Sequence, residues 1–170
     1  AGCEHCCKGC QNPVTWDPNG GLEFDESAKN EIFEQLDQSY ISGITFSGGD
    51  PLHCANRGGV KQLAMEIREK YPDKTIWLYT GDVWEDVMNY GLMRYVDVLV
   101  DGEFEQEKKD TTLMWKGSSN QRVIDVQATL QADDKSVPVL YCDNYDDIPM
   151  GRETNIIPFS AGGSCSIRKA

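Results

Sequence analysis

Helical and extended patterns alternate along residues 25–102 of this chain. Residues 25–38 place apolar side chains at helical spacing, and residues 41–46 follow as a short β-branched and aromatic segment. The order repeats twice. Apolar residues at helical spacing, Val60, Leu63, Ala64 and Ile67, mark a second helix that is closed by residues 71–73, residues 82–89 have a helical pattern, and apolar strands cover residues 75–80 and 96–100. Because these strands are nearly continuous in apolar residues, the pattern predicts an α/β fold in which outer helices cover a parallel sheet.

Each predicted strand ends in a turn of small or polar residues. These turns are Ser47-Gly48-Gly49-Asp50-Pro51, Thr80-Gly81 and Asp101-Gly102. The carboxyl ends of parallel strands line the ligand site in sheets of this kind, so we expect a binding site there. Adjacent glycines let a ligand approach the backbone closely, although a Gly-Gly turn alone is more often a plain loop.

Length and charge restrict the class of protein. The 170 residues correspond to one domain, and we expect a single domain over residues 1–170 with its core in residues 1–130. Sixteen basic against twenty-eight acidic residues give a net charge of −12, which disfavours nucleic acid as a partner. No apolar run reaches membrane-spanning length and no secretory signal is visible, so we expect a cytoplasmic protein that does not bind membranes.

Four of the seven cysteines, Cys3, Cys6, Cys7 and Cys10, lie within the first ten residues, which indicates a metal-ligand cluster. All four could bind zinc tetrahedrally, with His5 as a further candidate ligand. Alternatively, three could bind a four-iron cluster and leave one iron open for chemistry. Adjacent residues point in different directions, which favours three ligands, but the spacing alone does not decide between iron–sulfur, zinc and free thiols.

The remaining cysteines and the last forty or so residues are less informative. Cys54, Cys142 and Cys165 stand alone, and we expect each to be a small buried side chain. Residues 121–126 and 137–141 are candidates for short extended segments.

Several separated blocks resemble the activating proteins of anaerobic ribonucleoside-triphosphate reductase, which are radical S-adenosylmethionine enzymes. The blocks are GCEHCCKGCQN at 2–12, TW at 15–16, SGGDPL at 47–52, WLYTG at 77–81, VLVDG at 98–102 and WKGSSNQR at 115–122. The likeness extends in order over about residues 2–130. It implies a partial (βα) barrel of the radical S-adenosylmethionine type.

The resemblance also implies roles for individual residues. Cys3, Cys7 and Cys10 would ligate a [4Fe–4S] cluster, Cys6 would not, and the open iron would chelate S-adenosylmethionine. The other residues implied in cofactor binding, besides Cys10 itself, are Gly9, Gln11, Gly48, Gly49, Asp50, Thr80 and Asp101. Thr80 and Asp101 could equally be turn or capping residues. His5 and His53 are not required by the chemistry.

The implied reaction is the formation of a glycyl radical on a partner enzyme. The partner would be the large subunit of anaerobic ribonucleotide reductase, and the electron donor would be of the flavodoxin or ferredoxin type. Lys116 and Arg122, in the last block, would lie near the mouth of the site and help to dock the partner's loop, or would belong to a structural turn. The alternatives are activation of another glycyl-radical enzyme and a zinc-stabilised binding module without catalysis.

One departure from the family concerns the order of segments. Family members have a strand before the cysteines, whereas only Ala1 and Gly2 precede Cys3 here. Residues 150–170 resemble that missing beginning, so we expect a circularly permuted order in which residues 165–169 supply the strand. The charges of Arg168 and Lys169, where relatives have apolar residues, argue instead for an unrelated tail.

Overall fold

The computed structural model describes residues 1–141, and these build a four-stranded sheet in the order β1-β2-β3-β4. The first three strands, β1 (Gly43–Phe46), β2 (Thr75–Tyr79) and β3 (Val98–Asp101), are parallel. The fourth, β4 (Arg122–Asp125), pairs antiparallel with β3. The predicted α/β class is therefore confirmed as an open, mostly parallel sheet.

Three helices precede or connect the parallel strands, and a fourth follows β4. They are α1 (Glu26–Leu36), α2 (Arg57–Lys70), the short α3 (Trp84–Val87) and α4 (Val126–Gln131), with 3₁₀ turns at Pro13–Thr15, Gly91–Arg94 and Gln106–Lys108. Helix α1 begins after Asp25, whose carboxylate accepts the Ala28 N–H at 2.9 Å and so acts as an N-cap. Within residues 1–141, no helix is long and apolar enough to cross a membrane.

The main core lies between the sheet and the helices. Ile76 and Leu78 alternate along β2 with half-buried neighbours, and both are completely buried, as are Ala64 and Ile67 of α2. The opposite face of β2 is aromatic: the Trp77 ring lies 5.4 Å, between centroids, from the rings of Trp115 and Tyr141. The two faces together leave β3 buried along its whole length, which agrees with its continuous apolar sequence.

The structure corrects three expectations. Residues 82–89 contain only one helical turn, because Gly91 opens a separate 3₁₀ turn after Tyr90. Residues 137–141 form a single bridge, between Leu140 and Ile124, instead of a strand. Cys54 is exposed and is therefore not a buried side chain, because it lies in the turns that lead into α2.

The antiparallel fourth strand was not anticipated. A parallel neighbour requires a crossover, usually a helix, that returns the chain to the starting edge. The connection between β3 and β4 contains only the 3₁₀ turn at Gln106–Lys108, so the chain reverses and β4 runs back along β3. Cys142, Cys165 and the expected strand at 165–169 lie outside the described residues.

Gly59 in α2 offers a test of the helix assignment. It is exposed, and a Cβ built on it meets no atom within 4 Å. Replacing a helical glycine by alanine removes backbone freedom from the unfolded chain, so we expect Gly59→Ala to raise the free energy of unfolding by about 0.5–1 kcal/mol. Urea denaturation measures the change, and a destabilised variant would contradict the assignment of this residue to a helix.

Candidate functional site

Residues 2–12, called the cysteine loop here, lie against the turn that follows β1. The Gly2 carbonyl accepts the Asp50 N–H at 2.7 Å, and the Gly2 N–H donates to the Thr15 carbonyl at 2.7 Å. A Cβ on Gly49 would collide with the carbonyl oxygens of Gly2 and Thr15. The second glycine of the predicted turn is therefore needed for close packing of the loop against the carboxyl end of β1.

The backbone of the cysteine loop turns sharply at two positions. Cys6 has φ 49° and Gly9 has φ 76°, both in the left-handed region, and the Cys10 N–H donates to the Cys7 carbonyl at 3.1 Å. Cys6 is exposed, whereas Cys3, Cys7 and Cys10 are partly buried. In this bent loop the thiol of Cys6 is therefore exposed to solvent, and the other three thiols are partly shielded from it.

Backbone N–H groups point at the three partly buried sulfurs. Those of His5 and Cys6 point at Cys3, that of Phe104 points at Cys7, and the Asn12 N–H donates to Cys10 Sγ at 3.4 Å. Hydrogen bonds of this kind stabilise sulfur in its charged, metal-binding form and tune iron–sulfur sites.

The pKa values of two of these thiols are raised. Burial is the largest cause for both Cys3 and Cys7, and the nearby charges of Asp50 on Cys3 and of Glu103 on Cys7 add to it. Cys10 raises the pKa of both, and Cys3 also raises that of Cys7, so these three sulfurs are close enough to interact. A positively charged metal group would relieve this concentration of negative charge.

The spacing of the thiols does not match a closed zinc site. A tetrahedral ion with Zn–S bonds near 2.3 Å would hold its sulfurs about 3.8 Å apart. Among residues 1–141, no three of the four N-terminal thiols have sulfur atoms within 4.8 Å of one another. The wider spacing and the outward Cys6 fit a larger group held by three thiolates, such as an iron–sulfur cluster.

His5, between the first two predicted ligands, contacts three carboxylates. Its Nε2 lies 2.9 Å from Asp50 Oδ2 and 3.7 Å from Asp82 Oδ1, and its Nδ1 lies 3.0 Å from Glu103 Oε1. Burial lowers the pKa of His5, but the hydrogen bond that His5 donates to Glu103 and the charges of Asp50 and Asp82 outweigh it, so the pKa is raised. Sequence reasoning did not give His5, Asp82 or Glu103 a role in an iron–sulfur site, since their proximity depends on the fold.

Asp50, in the turn after β1, is buried, with 3% of its surface exposed, and several hydrogen bonds converge on its carboxylate. Its carboxylate accepts the Thr80 hydroxyl at 2.8 and 3.0 Å, the Gly81 N–H at 2.9 Å and the Leu52 N–H at 2.7 Å. Two of the residues predicted to contact a cofactor, Asp50 and Thr80, are therefore brought together. In this structure they bind each other and join the turns after β1 and β2.

Asp101, at the end of β3, is also buried and paired. It accepts the Trp84 N–H at 2.7 Å, and it forms an ion pair with Arg122, which is bidentate to Glu85 at 2.8 and 2.9 Å. The two carboxylates raise the pKa of Arg122, Glu85 first, so the guanidinium remains charged. Asp101 thus serves as a cap for α3 and as an anchor for β4.

Beside the cysteine loop lies a cleft of about 600 Å³, called the acidic cleft here, at the ends of β2 and β3. Its lining includes His5, Arg122 and six carboxylates, namely Asp82, Glu85, Asp86, Asp101, Glu103 and Glu105. Burial, followed by the charge of Asp50, raises the pKa of Asp82. The cleft therefore favours a ligand with positive charge.

The other predicted residues lie around this region. Gly9 faces Gln106, whose side chain fills the space that a Cβ would need. Gln11 and Gly48 are exposed, and Gly48 has φ 119°, a value that favours glycine.

The last block, residues 115–122, forms a turn in which Lys116 Nζ donates to the Gln121 carbonyl at 2.8 Å. Lys116 and Arg122, the two cations predicted to lie near the mouth of the site, are thus both bound by groups of this chain: the Gln121 carbonyl, and the carboxylates of Glu85 and Asp101.

Comparisons with known proteins identify relatives of this chain. Residues 1–124 match the family described as "4Fe-4S single cluster domain". The anaerobic ribonucleoside-triphosphate reductase-activating protein of Enterobacteria phage T4 is 40% identical over 122 residues, covering 72% of this chain and 78% of the phage protein.

Bacterial proteins of the same name are equally similar. That of Escherichia coli K12 is 43% identical over 128 residues, covering 72% of this chain and 82% of its own, and that of Vibrio cholerae is 42% identical over 125 residues, covering 71% and 81%. No solved structure matches significantly. The extent of these matches shows that the chain belongs to the family of anaerobic ribonucleoside-triphosphate reductase-activating proteins.

Proposed function

We propose that this chain activates an anaerobic ribonucleoside-triphosphate reductase by forming a glycyl radical on its large subunit. The relatives are named as activating proteins of that reductase, and those of phage T4 and Escherichia coli K12 match 72% of this chain. The observation that supports the proposal most directly is the arrangement of three interacting, partly buried thiols at the carboxyl edge of the sheet. A fourth, exposed thiol stands outside this group.

Cys3, Cys7 and Cys10 would hold the [4Fe–4S] cluster, and Cys6 would take no part. Three protein ligands leave one iron open, which a reactive centre requires. When bound, the cluster would supply one electron for the reductive cleavage of S-adenosylmethionine to methionine and a 5′-deoxyadenosyl radical, and that radical would take a hydrogen atom from the partner's glycine.

The chain's own residues would bind and orient the reactants. The backbone of Gly9, Cys10 and Gln11 and the turn at Gly48, Gly49 and Asp50 would contact S-adenosylmethionine. The adjacent acidic cleft would favour the cationic sulfonium over anions. Thr80 and Asp101 would contribute indirectly, since Thr80 holds Asp50 and Asp101 holds the wall of the cleft.

The finer assignments follow from the same proposal. The parallel strands would form one side of a partial (βα) barrel of the radical S-adenosylmethionine type, with the whole chain as one domain. The electron donor would be a flavodoxin- or ferredoxin-type protein, and the cytoplasm, where thiols stay reduced, would be the compartment.

The test is anaerobic reconstitution with iron and sulfide, followed by reduction in the presence of S-adenosylmethionine. We expect methionine and 5′-deoxyadenosine in equal amounts, and a glycyl-radical signal in electron paramagnetic resonance when the reductase large subunit is added. Zinc bound in place of iron, or an iron-loaded chain that leaves S-adenosylmethionine intact, would contradict the proposal.

We further propose that residues 165–169 pair with the outer edge of β1. Within residues 1–141, β1 pairs only with β2, and Gly2 lies at the carboxyl end of β1 through its bond to Asp50. A parallel strand added at that edge would end close to the start of the cysteine loop and would cover an open strand edge.

A rearranged chain tests this pairing. Residues 150–170 are placed directly before Ala1, and the chain then ends at residue 149. If residues 165–169 lie beside β1, the new junction joins neighbouring ends, and we expect the melting temperature and iron content to stay at the values of the original order. A matched rearrangement with residues 150–170 replaced by a glycine-serine segment should lose both. Equal behaviour of the two rearranged chains would contradict the pairing.

A further inference from the structure

His5 joins the cysteine loop to the ends of all three parallel strands. Its ring nitrogens lie 2.9 Å from Asp50, in the turn after β1, and 3.0 Å from Glu103, which follows β3. After β2, the ring lies against Gly81, where it occupies the space that a Cβ would need. A single side chain therefore contacts three separate turns at the carboxyl edge of the sheet.

The cysteine loop has few other attachments. Gly2 is its only buried residue, and apart from the contacts of His5 the described ion pairs of the loop, Lys8 with Glu107 and Glu4 with His53, both involve an exposed loop side chain. The backbone bonds of Gly2 and Cys3 fix the first residues of the loop to Thr15, Trp16 and Asp50. Between Cys3 and Cys7, by contrast, His5 supplies the contacts with the turns after β2 and β3, while the exposed Glu4 carboxylate lies 3.4 Å from His53 in the turns after β1.

We infer that His5 is a positioning residue: it fixes the middle of the cysteine loop over the strand ends, and thereby sets where the iron–sulfur cluster lies relative to the acidic cleft. This inference rests on the proposed function. A ligand that binds the cluster at one end and the strand-end turns at the other requires a fixed distance between the two. A misplacement of about 1 Å can cost about 10²-fold in rate.

The test compares His5→Ala and His5→Gln with the control Lys8→Ala, which removes only an exposed ion pair of the same loop. We expect His5→Ala to bind as much iron as the parent chain but to cleave S-adenosylmethionine with a kcat about 10²-fold lower, and with a smaller change in KM. The glutamine amide can still donate to Asp50, so His5→Gln should recover most of the lost kcat. Lys8→Ala should match the parent chain.

A second readout does not depend on activity. Amide hydrogen exchange in residues 3–10 of the metal-free chain should become at least about tenfold faster in His5→Ala, and should remain unchanged in Lys8→Ala. Parent-like exchange and kcat in His5→Ala would overturn the inference, as would loss of iron and of kcat in equal proportion, or a glutamine variant no better than alanine. If the parent chain itself does not cleave S-adenosylmethionine, the proposed function fails, while the exchange measurement still decides whether His5 holds the loop.

Discussion

Cys7→Ala should leave the chain folded but unable to form its cluster or to cleave S-adenosylmethionine. Cys7 is one of three partly buried thiols that interact electrically, and it receives a backbone N–H from Phe104. Two remaining thiolates cannot hold a four-iron cluster firmly, so we expect iron content to fall below the parent value and 5′-deoxyadenosine formation to fall to that of a protein-free control. Iron analysis and product chromatography measure the two effects.

Cys6→Ala is the matched control, because it removes a neighbouring thiol from the same loop. Cys6 is exposed and has a left-handed backbone, whereas the other three thiols are partly buried. We expect iron content and the rate of cleavage to stay within about twofold of the parent chain. A left-handed backbone costs a non-glycine residue about 1–3 kcal/mol, and cysteine in the parent chain already carries this cost, so alanine adds no new strain. Equal loss from Cys6→Ala and Cys7→Ala would refute the three-ligand assignment.

Asp50→Ala should be the most destabilising single change at the strand ends. The carboxylate is buried and accepts hydrogen bonds from Thr80, Gly81 and Leu52, besides its contact with His5. Removing it leaves buried donors without an acceptor, and we expect the free energy of unfolding to fall by about 3–5 kcal/mol. Urea denaturation of the metal-free chain gives this value, and S-adenosylmethionine cleavage by the reconstituted chain should decrease with it.

Asp86→Ala separates the effect of hydrogen bonding from that of charge. Asp86 lines the same acidic cleft and carries the same charge, but it is exposed. We expect its replacement to change the free energy of unfolding by about 0.5 kcal/mol or less. Comparable destabilisation in the two variants would mean that charge in the cleft, and not the hydrogen bonds of Asp50, determines stability.

The sequence predicted the parallel part of the fold because local patterns specify it. The strands β1 and β2 lie within predicted extended segments, β3 ends one residue beyond the predicted segment 96–100, and α1 begins after the acidic cap at Asp25. The direction of β4 could not be predicted in the same way, since it depends on the path of residues 102–121, which have no regular pattern. The length of α3 was likewise overestimated, because its amphipathic spacing continues into a 3₁₀ turn.

The candidate site was predictable where its residues are close in sequence. The cysteine spacing and the glycines of the first turn indicated a bound group at the strand ends, and the structure places the loop there. The contacts of His5 with Asp50 and Glu103 join residues 45 and 98 positions apart, so they could not be read from local patterns. The role of Asp101 as a cap and anchor also required the positions of Trp84 and Arg122.

The cysteine loop lies at the surface, so loss of an iron–sulfur cluster from it need not unfold the rest of the chain. The packed interior begins beyond the loop, and of residues 1–24 only Gly2 is buried. Oxygen that destroys the cluster would therefore injure a peripheral segment and leave the scaffold intact. We therefore expect that the same molecule can be reloaded with iron and sulfide after such damage, without synthesis of a new chain.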